Sequence, residues 1–294
     1  MSERALVLGG GGGAGNAWLI GVVAGLFDAG LDVTHADLII GTSAGSTAAA
    51  QITGASPSRL LAEILSAVPP QQAASAGGGR TPTRPPSDHM ERTNAIITGA
   101  EDAADMRRKM GAALRDANAA SAGSRQTQWR STVGARLPSK QWPEQRMLIT
   151  AVDADSGEPA VFDRDSGVDL VDAVAASTAG GFAYAIGDKQ YIDGGYRADV
   201  NADLAVGCGR VLIIPPLGAK TRKPTEWGLH LDAQVDELRA GGSRVETILP
   251  DSNSQDAIGI GMDLMDLSRR RPSAQAGYDQ GKVLAAQLSE FWHS

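Results

Sequence analysis

The chain predicts an α/β fold, a mostly parallel sheet flanked by helices in three layers and interrupted by one helical and loop insertion. Two observations predict it. Short apolar runs alternate with segments of helical period near the start of the chain. Each of the first two runs is followed by a tight, small-residue turn and then by a helix, the rhythm of parallel strands with crossover helices.

Residues 5–8 read as a short buried strand and 9–15 as a glycine-rich turn. Over 16–29, Trp18, Val22 and Leu26 fall at helical spacing, and Gly30 supplies a stop. Residues 37–40 form a second strand, 41–45 a sharp turn and 46–54 an alanine-rich helix, with a further helix at 58–67. The rhythm then breaks. Residues 69–93 carry Pro69-Pro70, Gly77-Gly78-Gly79 and Pro85-Pro86 and read as loop, whereas 100–120 regain helical character. Residues 69–143 are therefore expected as an insertion lying over the sheet edge, a candidate cap. Strands follow at 147–152, 159–162, 190–192 and 211–214, and helices at 169–176, 226–240 and 274–292. The apolar, methionine-bearing stretch 255–267 reads as a packed helix, with a flexible acyl-contacting wall as the alternative. The length of 294 residues fits one domain, 1–294, that includes the insertion.

Composition narrows the function. Hydrophobic residues at 42% and charged residues at 21% are ordinary for a globular protein, and 4% aromatics leave a core of Ala, Val, Leu and Ile. A net charge of −7 argues against a nucleic-acid partner and against long-range attraction to anionic membranes. Contact with a lipid surface would be transient and apolar, or made through a local basic patch. The single cysteine, Cys208, permits no internal disulfide and reads as a packed residue. No signal sequence or membrane-length apolar run is seen, so a cytoplasmic location is expected. The runs Arg107-Arg108-Lys109 and Arg269-Arg270-Arg271 read as solvated helix faces.

Three motifs carry chemistry. Gly41-Thr42-Ser43-Ala44-Gly45 is a G-x-S-x-G between a strand and a helix, where small flanking residues permit a turn that exposes the serine hydroxyl. Gly9 to Gly13, then Ala14 and Gly15, offer unshielded N–H groups to an anion. Those donors suit an oxyanion hole or a dinucleotide phosphate, since Gly10, Gly12 and Gly15 satisfy G-x-G-x-x-G. The dinucleotide reading lacks its acidic residue about 20 positions on, at the end of the second strand. That position holds the serine turn, and Asp37 lies at the other end of the strand. Asp193-Gly194-Gly195 places a carboxylate at the carboxyl end of a strand, expected to face the same sheet edge as the other motifs. The four histidines are His35, His89, His230 and His293; only His230 follows Asp193 at a plausible place for a triad, inside an expected helix.

Together the motifs resemble those of the patatin-like phospholipases, whose order is G-G-G-x-[R/K]-G, then G-x-S-x-G, then D-G-[G/A]. Here they fall on Gly10 to Gly15, Gly41 to Gly45 and Asp193 to Gly195. The stretches 150–162, 175–179 and 201–205 also look like the family. One departure is clear: Ala14 stands where the family usually has Arg or Lys. The resemblance implies a lipid acyl hydrolase of phospholipase, lysophospholipase or carboxylesterase type, needing neither cofactor nor metal. Ser43 would be the nucleophile and Asp193 its base, with Gly10, Gly11, Gly12 and Gly13 forming the oxyanion hole. Gly15, Gly41, Gly45, Gly194 and Gly195 would shape the turns. The competing readings are a nucleotide-binding protein and a relative that binds acyl chains without turnover.

Overall fold

The computed structural model describes residues 3–67, 86–116, 122–259, 264 and 266–293. Strand β1 (Arg4–Leu8) leads into helix α1 (Gly12–Asp28), and β2 (Leu38–Thr42) into α2 (Ala44–Ile52) and α3 (Pro57–Ser66). Helices α4 (Pro86–Thr98), α5 (Ala103–Asp116) and α6 (Ala122–Arg136) precede β3 (Arg146–Asp153) and β4 (Pro159–Phe162). Then come α7 (Leu170–Ser177), β5 (Tyr184–Ile186), β6 (Lys189–Asp193), β7 (Arg210–Ile214) and α8 (Leu231–Ala240). The described elements end with β8 (Arg244–Thr247), α9 (Ser252–Ile258) and α10 (Arg270–His293).

The sheet order is β5-β6-β3-β2-β1-β7-β8, with β4 also paired to β3. Strands β3, β2, β1, β7 and β8 are parallel, whereas β4, β5 and β6 pair antiparallel. Side-chain alternation divides the core between the two faces. Leu6, Leu8, Ile39, Ile149 and Leu212 pack with α1, α2, α7 and α10. Ala5, Val7, Ile40, Val211 and Ile213 pack with Leu231, Val235 and Leu238 of α8, and Cys208 is buried in that same cluster. The result is three layers, with the sheet in the middle.

The part of the sheet that matters most lies on β3. Strand β2 pairs with its residues 146–150, and β4 with 149–152, so β2 and β4 occupy opposite edges of β3. Strand β6 pairs with residues 151–153, which overlaps β4, so β6 must share the edge used by β2. Thr42 is the partner of Thr150, and Asp193 is the partner of Ala151. Running in opposite directions, β2 and β6 thus bring their carboxyl ends together one residue apart on β3. The sheet edge expected for Asp193 is reached by an antiparallel strand that descends onto β3, not by a further parallel one.

Several expected boundaries move for physical reasons. Helix α1 begins at Gly12, inside the glycine turn, where Leu264 lies against Gly12 and Leu267 against Gly13. Packing there overrides glycine's poor helix propensity. The helix expected at 226–240 begins at Leu231, because Gly228 adopts a left-handed φ of 68° after a short 3-10 turn. His230 is therefore an N-cap residue and not a helix-interior one. Strands β5 and β8 and helix α6 have no counterpart in the sequence reading, α4 takes up residues 86–93 of the expected loop, and α9 takes up residues 255–258 of the expected packed helix. Of the stretch 255–267, residues 260–263 and 265 lie outside the described residues, as do 68–85 and 117–121 of the expected insertion. The described insertion helix α5 buries Met106, Met110 and Leu114 against Val152 and Ile192. This part of the insertion is built into the body of the domain. Among the described residues no helix is long and apolar enough to cross a membrane.

Candidate active site

Ser43 stands between β2 and α2 with φ 52° and ψ −115°, a conformation that non-glycine residues rarely adopt. The strain is imposed from both sides. A side chain on Gly41 would meet the α2 backbone at Ser46, and one on Gly45 would lie 1.9 Å from the Leu8 carbonyl oxygen. The elbow is therefore wedged between its own helix and the end of β1. Serine at an N-cap usually accepts an N–H of the first helical turn. Here no such side-chain bond forms, and the Ser43 hydroxyl donates to Asp193 Oδ2 at 2.7 Å. Ser46 Oγ donates to the Ser43 carbonyl at 2.6 Å, and the Ser43 N–H donates to Ser177 Oγ at 2.9 Å, holding the elbow from two further directions.

Asp193 uses both carboxylate oxygens. Oδ2 accepts from Ser43, and Oδ1 accepts the N–H of Gly195 at 2.8 Å. Burial pushes the Asp193 carboxyl up to about 6, and the negative charge of Asp199 adds to that rise. The Gly195 N–H, the Ser43 hydroxyl and the Lys223 cation oppose it. Gly194 begins the following 3-10 turn and lies directly on β3, where a Cβ would come 2.3 Å from Thr150 Oγ1. Asn201, itself left-handed with φ 55°, ties this corner together. Its Nδ2 donates to Thr42 Oγ1 at 3.0 Å and to the Ala198 carbonyl at 2.8 Å.

The glycine loop divides into committed and open donors. Gly10 departs from the expected set: its N–H donates to the Asp199 carbonyl at 2.8 Å, and its Cα faces the Ser43 Cβ. It acts as a spacer next to the serine. The N–H groups of Ala14 and Gly15 donate to the carbonyls of Leu264 and Gly11. Among the described residues, the N–H groups of Gly11, Gly12, Gly13 and Ala44 have no hydrogen-bond acceptor. Neither α1 nor α2 carries a side-chain cap or an acidic residue in its first turn. Among the described residues, two helix N-termini whose first N–H groups lack an acceptor thus flank Ser43, and such termini favour negative charge.

Other sequence-level candidates fall away from this site. His35 pairs with Asp32, His89 lies on α4, His230 caps α8 and His293 ends α10; none hydrogen-bonds to Ser43 or Asp193 among the described residues. Among the described residues no group of three or more His, Cys, Asp or Glu side chains could hold a metal ion. The basic run at 269–271 is not simply a solvated face. Arg270 Nη1 donates to the Gly13 carbonyl at 3.0 Å and to Asn16 Oδ1 at 3.2 Å, and Arg269 Nη1 to the Asp256 carbonyl at 3.0 Å. Ser177, Asn201 and Lys223 were missed as site-supporting residues. The first two lie in stretches that resembled the family, yet nothing in their residue type announced their partners.

No curated protein matches the chain. Two crystal structures are distantly similar to the chain. VipD from Legionella pneumophila is 12% identical over 98% of this chain and 67% of its own, with a TM-score of 0.39. The type III effector protein ExoU is 18% identical over 96% of this chain and 53% of its own, with a TM-score of 0.37. This chain thus spans about two thirds of one and about half of the other. A model described as patatin-like phospholipase matches residues 6–206, more than half of the chain, from within β1 to beyond the Asp193 turn. The chain belongs to the patatin-like phospholipase family.

Proposed function

We propose that this lipid acyl hydrolase cleaves carboxylic esters through a Ser43–Asp193 dyad and an acyl-enzyme intermediate. The observation that carries the reading is the 2.7 Å hydrogen bond from Ser43 Oγ to Asp193 Oδ2 at a strained elbow, flanked by amides that have no acceptor among the described residues. Asp193 takes the Ser43 proton as the oxygen attacks the ester carbonyl. The open N–H groups of Gly11, Gly12, Gly13 and Ala44 receive the oxyanion, in place of the set that included Gly10. Collapse of the tetrahedral adduct expels the alkoxide, which Asp193 protonates. A water then gives its proton to Asp193 and attacks the acyl-serine; collapse of that adduct releases the carboxylic acid and expels the Ser43 oxygen, to which Asp193 returns the proton. The carboxyl near 6 suits this double duty, being a stronger base than an ordinary aspartate yet ionised at neutral pH.

The test is a fluorophosphonate probe used beside a hydrolysis screen of nitrophenyl esters, lysophospholipids and phospholipid vesicles. Wild type is expected to label and turn over, and Ser43→Ala to do neither. Labelling that survives in Ser43→Ala overturns the nucleophile. Esterase activity retained by Asp193→Asn removes Asp193 from the mechanism. Fatty-acid binding without cleavage, or micromolar nucleotide binding, would favour one of the two competing readings.

A further inference from the structure

Behind Asp193 lies a buried cation that the chemistry above does not use. Lys223 comes from the segment between β7 and α8, beyond the residues matched by the family model. Its side chain is only 8% exposed. Nζ donates to the Gly195 carbonyl at 2.8 Å and lies 3.3 Å from Asp199 Oδ1. The Gly195 N–H is the group that holds Asp193 Oδ1, and the Asp199 carbonyl is the group that holds the Gly10 N–H. A continuous path therefore runs from the Asp193 carboxylate through the Gly195 peptide, Lys223 and Asp199 to the glycine loop.

We propose that Lys223, paired with Asp199, is a positioning residue of this hydrolase: it fixes the turn of the base to the oxyanion loop and, together with Asp199, tunes an acid limit that burial sets. The proposal rests on Asp193 being the base. Its physical content has two parts. A buried ammonium is kept only where oxygen acceptors surround it, so Lys223 holds the Gly195 carbonyl and the Asp199 side chain in one geometry. The two charges also act on Asp193 with opposite sign: Lys223 favours its ionised form and Asp199 disfavours it. The other groups around Asp193 are the Ser43 hydroxyl and the Tyr196 phenol, which burial keeps neutral and which donates to the Gly180 carbonyl. Arg222 acts on Tyr196 and is itself held by Thr93 and Asn94 of α4.

The experiment is the pH dependence of kcat/KM on a soluble nitrophenyl ester for wild type, Lys223→Met, Lys223→Arg and Asp199→Asn. Lys223→Met is expected to move the acid limb upward by on the order of half a pH unit and to lower kcat. Asp199→Asn should move the limb downward, while its backbone bond to Gly10 stays intact. Lys223→Arg should keep the wild-type limb. Loss of packing alone would lower rates without moving the limb in opposite directions. Limbs that stay put, or that move the same way in both variants, overturn the proposal. If Lys223→Met does not fold, the downward shift in Asp199→Asn decides alone, and its absence is fatal. Activity in Asp193→Asn would instead strike at the assignment of the base, so the two failures are distinguishable.

Discussion

As the proposed base, Asp193 would trade stability for chemistry, and the trade has a calculable sign. Burial pushes its carboxyl up to about 6 in the folded chain, from an ordinary 3.8. Between those values the native state binds more protons than the unfolded chain, so stability falls as pH rises through that window and stays lowered above it. Two pH units correspond to a ceiling of about 3 kcal/mol. Asp193→Asn should therefore be inactive yet more stable than wild type at pH 8, and the gain should vanish near pH 4. Urea denaturation at the two pH values checks this; an equal gain at both would contradict it. The same titration predicts that turnover falls as pH drops through about 6, because the base must be ionised to accept the serine proton. Gly194 raises a steric question in place of an electrostatic one. A methyl group there would sit 2.3 Å from Thr150 Oγ1 and 2.5 Å from the Thr150 carbonyl oxygen, so the turn must lift off β3. Gly194→Ala is expected to cost about 1–3 kcal/mol and to break the Ser43–Asp193 bond. Thermal melts and probe labelling would read the two effects separately.

At the scale of elements, the site depends on how closely α1 and α10 approach. A Cβ on Gly21 would lie 2.1 Å from the Ala274 carbonyl oxygen, and one on Gly25 2.2 Å from that of Tyr278. Reciprocally, a Cβ on Gly277 would lie 2.4 Å from the Trp18 carbonyl oxygen, and one on Gly281 2.3 Å from that of Val22. Two glycines four residues apart on each helix let the backbones touch, and α10 also sends Arg270 to the Gly13 carbonyl at the head of α1. Gly277→Ala should destabilise the fold by about 1–3 kcal/mol and slow Ser43 labelling, because α1 carries the open donors of Gly12 and Gly13. Labelling at the wild-type rate in a destabilised variant would separate this interface from the site. The spacing of these glycines was visible in the sequence, but the pairing was not, since more than two hundred residues separate the helices. Strand direction was likewise invisible. Residues 190–192 read as a strand ending in Asp193, but nothing in three residues shows that it runs against β3. The loop N–H groups show the same limit. Five consecutive glycines announce free donors, yet only the fold shows that Gly10 spends its own on Asp199.

For the molecule as a whole, the motif-bearing first 54 residues were the most legible, because strand, small-residue turn and helix follow each other without a break. Legibility fell where tertiary packing decides, as at Lys223 and Arg270, whose surroundings come from remote segments. Net charge is a property of the whole chain and does not depend on such detail. At −7 the protein is repelled at long range by an anionic lipid surface, while the Ser43 site needs only the short-range approach of an ester. The repulsion is screened as the Debye length shrinks from about 30 Å at 0.01 M salt to about 8 Å at 0.15 M. Hydrolysis of short-chain phospholipid in anionic vesicles should therefore rise with added salt over that range, whereas hydrolysis in zwitterionic vesicles should change little. A soluble nitrophenyl ester assayed in the same buffers controls for salt effects on the chemistry itself. If rates on anionic vesicles instead fall with salt while the soluble ester holds steady, a local basic patch governs the encounter. Net charge would then be the wrong scale at which to describe it.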